Sequence, residues 1–167
     1  DGVRYKSRGG TCARLRGGFA GLIFLPMQYT PLVKRHIRQA RLYASHSPVV
    51  SPKVGCVITM ESDVLTYGWN EDLRQLPNYK ARGGYGRAIH AEESAILKAV
   101  NNPHISLVGT TLFSTRAPCW VCAKMIMQVG ISTVVWGSSH SDDGEGINLL
   151  RAAGIKEVQI SNLVNNN

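Results

Sequence analysis

Two short segments constrain this chain more than anything else in it: His90-Ala91-Glu92 and Pro118-Cys119-Trp120-Val121-Cys122. Each opens an expected helix. After His90 the chain runs through good helix formers with no glycine or proline until Pro103, and the second helix starts near Cys119 and ends by Gly130. Cys119 and Cys122 are three apart and share one helical face. A helix N-terminus carries partial positive charge and lowers a thiol's pKa, so both cysteines are placed to bind a cation as thiolates. Two helix N-termini facing each other would then hold a metal without a long loop. Three ligands, His90, Cys119 and Cys122, leave tetrahedral Zn²⁺ a fourth position for water, the layout of a catalytic site.

Other readings of these residues explain less. A single C-x-x-C is also a redox pair or half of a structural zinc site. The remaining cysteines are Cys12 and Cys56, with no second C-x-x-C, so a site with four cysteine ligands has little support. A redox pair leaves His90 and Glu92 unexplained. Glu92 is the carboxylate placed to take a proton from the metal's water. Glu93 points about 100° further round the helix and reads as a solvated or capping group.

Strands and helices alternate along the rest of the chain. Pro31 to about Ser45 is an amphipathic helix, with Leu32, Val33, Ile37, Ala40 and Ala44 inward and Lys34, Arg35, Arg38 and Arg41 outward. Val54–Met60 and Val64–Tyr67 form a hairpin across Glu61-Ser62-Asp63, and Cys56 in its first strand reads as a small buried hydrophobe. A polar loop from Glu71 to Arg87 leads into the His90 helix, whose Ala91, Ala95, Ile96, Ala99 and Val100 face a core. A strand over Leu107–Thr115 precedes the cysteine helix. A strand from Thr133 to Trp136, a helix near Ile147–Ala153 and a strand around Lys156–Ile160 follow. The order α-β-β-α-β-α-β-α-β predicts an α/β fold, a three-layer α/β/α sandwich with a five-stranded mixed sheet.

Length and charge narrow the function classes. The 167 residues suit one domain with a full core, and no apolar run approaches the ~20 residues of a membrane span. Four cysteines, two of them assigned to metal, make no disulfide framework and predict a reducing, cytoplasmic setting. Net charge is +8, half of it from Arg4, Lys6, Arg8, Arg14 and Arg16 against Asp1. The domain is expected over 31–167. Residues 1–30 read as a basic, glycine-rich extension that is flexible or extraneous, with a targeting leader or a nucleic-acid-binding arm as alternatives.

H-x-E paired with P-C-x-x-C is the signature of the zinc nucleobase deaminases. From about Pro31 to Ile160 the chain resembles the cytidine deaminase superfamily, and within it most the deoxycytidylate (dCMP) deaminases. Ser51–Ile58, Tyr67-Gly68-Trp69-Asn70, His90-Ala91-Glu92, Ala117–Lys124 and Leu149–Ile155 carry the likeness. The resemblance implies hydrolysis of dCMP to dUMP and ammonia, by a zinc-bound hydroxide with Glu92 carrying protons. The loop from Glu71 to Arg87 adds no cysteine or histidine for a second site, so one Zn²⁺ per chain is expected, and with no long apolar run no membrane partner is expected. The resemblance also implies a homo-oligomer and a nucleotide contact from Asn70. Ala91 belongs to the same substrate-binding set. Lys80, Arg82 and Arg87 are candidates for the phosphate, and His140 for a loop covering the pocket. Glu71 stands where that family carries Gly, an acid beside a site that holds an anion. The alternative is a deaminase acting on a base in tRNA or single-stranded DNA or RNA, for which the basic N-terminal stretch offers nucleic-acid contacts.

Overall fold

The computed structural model describes residues 30–72, 88–138 and 144–160. Their elements are α1 (Pro31–Ser45), β1 (Gly55–Met60), β2 (Asp63–Trp69), β3 (Glu71–Asp72), β4 (Ala88–Ile89), α2 (Ala91–Val100), β5 (Thr111–Arg116), α3 (Trp120–Gln128), β6 (Thr133–Ser138), α4 (Glu145–Ala152) and β7 (Lys156–Gln159). Five strands make one sheet in the order β2-β1-β5-β6-β7. β1 runs antiparallel to β2 and β5, whereas β5, β6 and β7 are parallel. The sheet is therefore mixed, as expected. β3 and β4 pair separately, Glu71 against Ile89 and Asp72 against Ala88.

Alternation along the strands separates two cores. Cys56, Ile58, Leu112, Val134 and Trp136 face α2, α3 and α4, and pack with Ala95, Ile126 and Leu150. Val57, Phe113 and Val135 point the other way, onto Val33, Ile37 and Ala40 of α1. This is the three-layer arrangement. No helix among the described residues is long and apolar enough to cross a membrane.

Helix α1 matches its expected span, and its start is specified locally. Thr30 is the N-cap, its Oγ1 accepting from the Val33 N–H at 3.3 Å, and Pro31 supplies a first position that needs no N–H. Its buried face differs in detail: His36 is buried and Leu32 is 38 % exposed. In α2, Val100 is likewise exposed: it ends the helix one position past the buried Ala99, off the inward face. β5 starts at Thr111, not Leu107. Residues 107–110 turn instead, with Gly109 at φ +78°, the Thr110 hydroxyl donating to the Leu107 carbonyl at 2.6 Å, and Gly109 N–H donating to Gly130. β2 runs on to Trp69, which lies opposite Gly55.

Candidate metal centre and its carboxylate

The antiparallel β1–β5 pair and the parallel β5–β6 pair place the starts of α2 and α3 side by side. His90 and Cys119 are the N-cap residues of those two helices, both in extended backbone. The His90 N–H donates to Glu93 Oε2 at 3.0 Å, so Glu93 is a capping group. His90 Nδ1 lies 3.4 Å from Cys119 Sγ and 3.4 Å from Cys122 Sγ, and one ligand atom from each of the three residues lies within 4.8 Å of the others. In a tetrahedral zinc site with ordinary bond lengths, nitrogen and sulfur ligands sit about 3.5 Å apart. Two thiols and an imidazole are also the donor types zinc prefers. The residues fit the ion. Among the described residues this is the group that could hold a metal.

Charge is arranged for a cation. The thiol of Cys119 is pulled down to about 3, first by hydrogen bonding with Cys122 and then by His90. The same pairing and near-complete burial push Cys122 up. His90 is raised, chiefly by its contact with Cys119. A bound cation would take the place of the protons on these groups, since metal binding requires deprotonated ligands.

Glu92 sits at the second position of α2 and is 3 % exposed. Its Oε1 accepts the hydroxyl of Ser114, on β5, at 2.7 Å. Burial raises its pKa, and the Ser114 hydrogen bond and the charge of His90 partly offset that. Ser114 had no role in the sequence reading. The signal available was alternation: Leu112 and Ser114 share the face of β5 that meets α2, and Ser114 is the polar one.

Close backbone contacts seat both helices. A Cβ on Gly68 would strike the Ala91 carbonyl and the Ala95 nitrogen, and one on Gly146 of α4 would strike the Pro118 carbonyl and Cys119. Glycine at each position brings sheet or helix backbone against the metal-side turns. Ala91 is fully buried in that contact.

Asn70, 8 % exposed, is committed to the chain itself. Its Oδ1 accepts from the Val54 N–H and its Nδ2 donates to the Pro52 carbonyl, each at 2.8 Å. One amide hydrogen remains for another acceptor. Glu71 accepts from the Ser94 hydroxyl at 2.8 Å and from Lys98 Nζ at 3.4 Å, so its charge is drawn to the flank of α2. Lys98 also lies 4.2 Å over the Trp69 ring. Lys80, Arg82, Arg87 and His140 lie outside the described residues.

Residues 32–138 match the family described as the cytidine and deoxycytidylate deaminase zinc-binding region. The chain belongs to that family. It is 36 % identical over 140 residues to the deoxycytidylate deaminase of Saccharomyces cerevisiae, and 31 % over 139 residues to that of Schizosaccharomyces pombe. These alignments take in 75 % and 72 % of this chain but 43 % and 41 % of the yeast proteins, so the chain spans less than half of those relatives. Among solved structures, cyanophage S-TIM5 dCMP deaminase in complex with dCMP and dUMP superposes with a TM-score of 0.66 at 26 % identity. That likeness covers 78 % of this chain and 98 % of the phage protein. The cytidine and deoxycytidylate deaminase fold expected from the sequence, and the zinc that the family binds, both agree with the His90, Cys119 and Cys122 cluster.

Proposed function

We propose that this chain hydrolyses the exocyclic amine of deoxycytidylate, giving dUMP and ammonia, with His90, Cys119 and Cys122 holding zinc and Glu92 moving the protons. The observation that carries this reading is a buried carboxylate, Glu92, on the same helical turn as His90 and within the field of the thiols. A bound zinc supplies acidity, lowering the pKa of water from 15.7 to about 7.

The chain's own groups account for the rest. The net reaction adds water to C4 of cytosine, breaks the C4–N4 bond and leaves a C4 carbonyl. Glu92 carries both protons of the attacking water in turn, one to the ring nitrogen and the second to the departing amine, which leaves as ammonia. A carboxyl raised by burial suits this shuttle, because it accepts and releases a proton closer to neutrality than an exposed glutamate. Asn70, held by Pro52 and Val54, offers its remaining amide hydrogen to the sugar. Lys80, Arg82 and Arg87 are the cations proposed for the phosphate, and His140 for the pocket's cover. Names of the yeast and phage relatives support the choice of dCMP.

The test is ammonia release from zinc-loaded protein offered dCMP, CMP, deoxycytidine, dCTP and a short single-stranded oligonucleotide in parallel. Turnover on dCMP above the others is expected. Turnover on the oligonucleotide alone would overturn the substrate assignment.

A further inference from the structure

Behind Glu92, within the apolar core, lies one hydroxyl that the proton transfers do not use. Ser114 is fully buried on β5 and directs its hydroxyl to Glu92 Oε1 at 2.7 Å. Its strand neighbours are Cys56 of β1, paired opposite it, and Trp136 of β6. Both belong to the core on the α2 side of the sheet. Cys56 is fully buried, and the charge of Glu92 contributes to raising its thiol pKa after burial itself. Among these neighbours Ser114 is the group that donates to the carboxylate.

We propose that Ser114 is a positioning residue for the deamination: its hydroxyl pins one oxygen of Glu92 to β5 and so presents the other oxygen toward the metal side. A glutamate has three side-chain torsions, and an untethered carboxylate samples orientations that do not reach the reacting water. Productive proton transfer needs hydrogen-bond reach, about 2.6–3.2 Å between heavy atoms. The strand is the stiffest available anchor, since β5 is paired on both sides. Anchoring to a strand in the sheet centre fixes the carboxylate independently of the loops. Ser114 acts through Glu92. Its effect therefore falls on turnover and leaves substrate affinity unchanged.

This inference rests on Glu92 being the proton carrier, and the experiment separates the two. Ser114→Ala, Ser114→Thr, Ser114→Cys and Glu92→Gln are prepared zinc-loaded and assayed on dCMP, with zinc content and Tm measured for each. The expected result for Ser114→Ala is a fall in kcat of roughly ten- to a hundredfold, the scale of one hydrogen bond to a charged group. KM stays within about twofold, and zinc content and Tm hold. Ser114→Thr, which keeps the hydroxyl, recovers most of the loss. Ser114→Cys, near the same size but a weak donor, falls between. The proposal is overturned if Ser114→Ala or Ser114→Cys turns over like the parent while Glu92→Gln is inactive. It is also overturned if kcat falls only together with zinc content or Tm. An active Glu92→Gln would instead sink the assignment of Glu92, on which the proposal depends.

Discussion

Gly68 lies directly beneath the Ala91 carbonyl, so closely that a single added carbon would strike it. The edge strand β2 thereby sets the height of the α2 N-terminus, and with it the position of His90 and Glu92. Gly68→Ala is predicted to lift that turn. Overpacking of this kind costs about 1–3 kcal/mol. The expected outcome is a lower Tm together with a weaker zinc affinity, read by competition with a chromophoric chelator. Loss of stability with unchanged zinc affinity would mean that the turn absorbs the added carbon elsewhere.

Asn70 closes on both Pro52 and Val54. Asn70→Ala removes a donor and an acceptor at once and leaves the Val54 N–H without its partner. The expected loss is about 2–3 kcal/mol in denaturant unfolding. Asn70→Asp keeps the acceptor for Val54 but sets a buried carboxylate oxygen against the Pro52 carbonyl, so it is expected to cost at least as much stability as Asn70→Ala. If Asn70 also contacts the sugar, both variants raise KM for dCMP beyond what their stability predicts.

Glu157 on β7 receives Trp136 Nε1–H at 3.0 Å and Arg151 at 2.8 Å. Partial burial pushes its pKa up, but these two hydrogen bonds outweigh burial and leave it below the usual carboxylate range. A carboxylate whose folded pKa is depressed stabilises the fold above its unfolded value of about 4.3. That contribution is lost as pH falls through the folded value. Glu157→Gln is therefore predicted to lower Tm at pH 7 and to converge with the parent in acid. The loss at pH 7 should be small, about 1 kcal/mol, since Arg151 is largely exposed. A Tm difference that persisted unchanged at pH 3 would contradict the charge argument.

Residue chemistry and spacing made the metal cluster legible, because zinc needs particular donors and helix starts place them. The layer order was legible too, from strands of β-branched residues alternating with helical stretches. What the sequence hid was tertiary. Ser114 is an ordinary strand serine until α2 brings Glu92 over it. Nothing local marks Gly68 or Gly146, yet each admits neighbouring backbone that a side chain would block. Leu107 was assigned to β5 by composition, but a turn closed by Thr110 and Gly109 intervenes. In α1 the helical stripe holds except at Leu32, which is exposed, while the buried His36 packs against Phe113. Glu71 read as a charge facing an anion site, whereas Ser94 and Lys98 draw it to the helix flank.

Proton transfer by Glu92 beside a zinc held by His90, Cys119 and Cys122 is directly measurable. The most direct measurement follows dCMP conversion to dUMP, with ammonia counted, in parent protein and Glu92→Gln, each assayed for zinc. One zinc per chain is expected in both, with one ammonia per dUMP in the parent and a fall of at least about a hundredfold in Glu92→Gln, the lower end for a lost general acid–base. Parent-like turnover by zinc-loaded Glu92→Gln would contradict that role for Glu92.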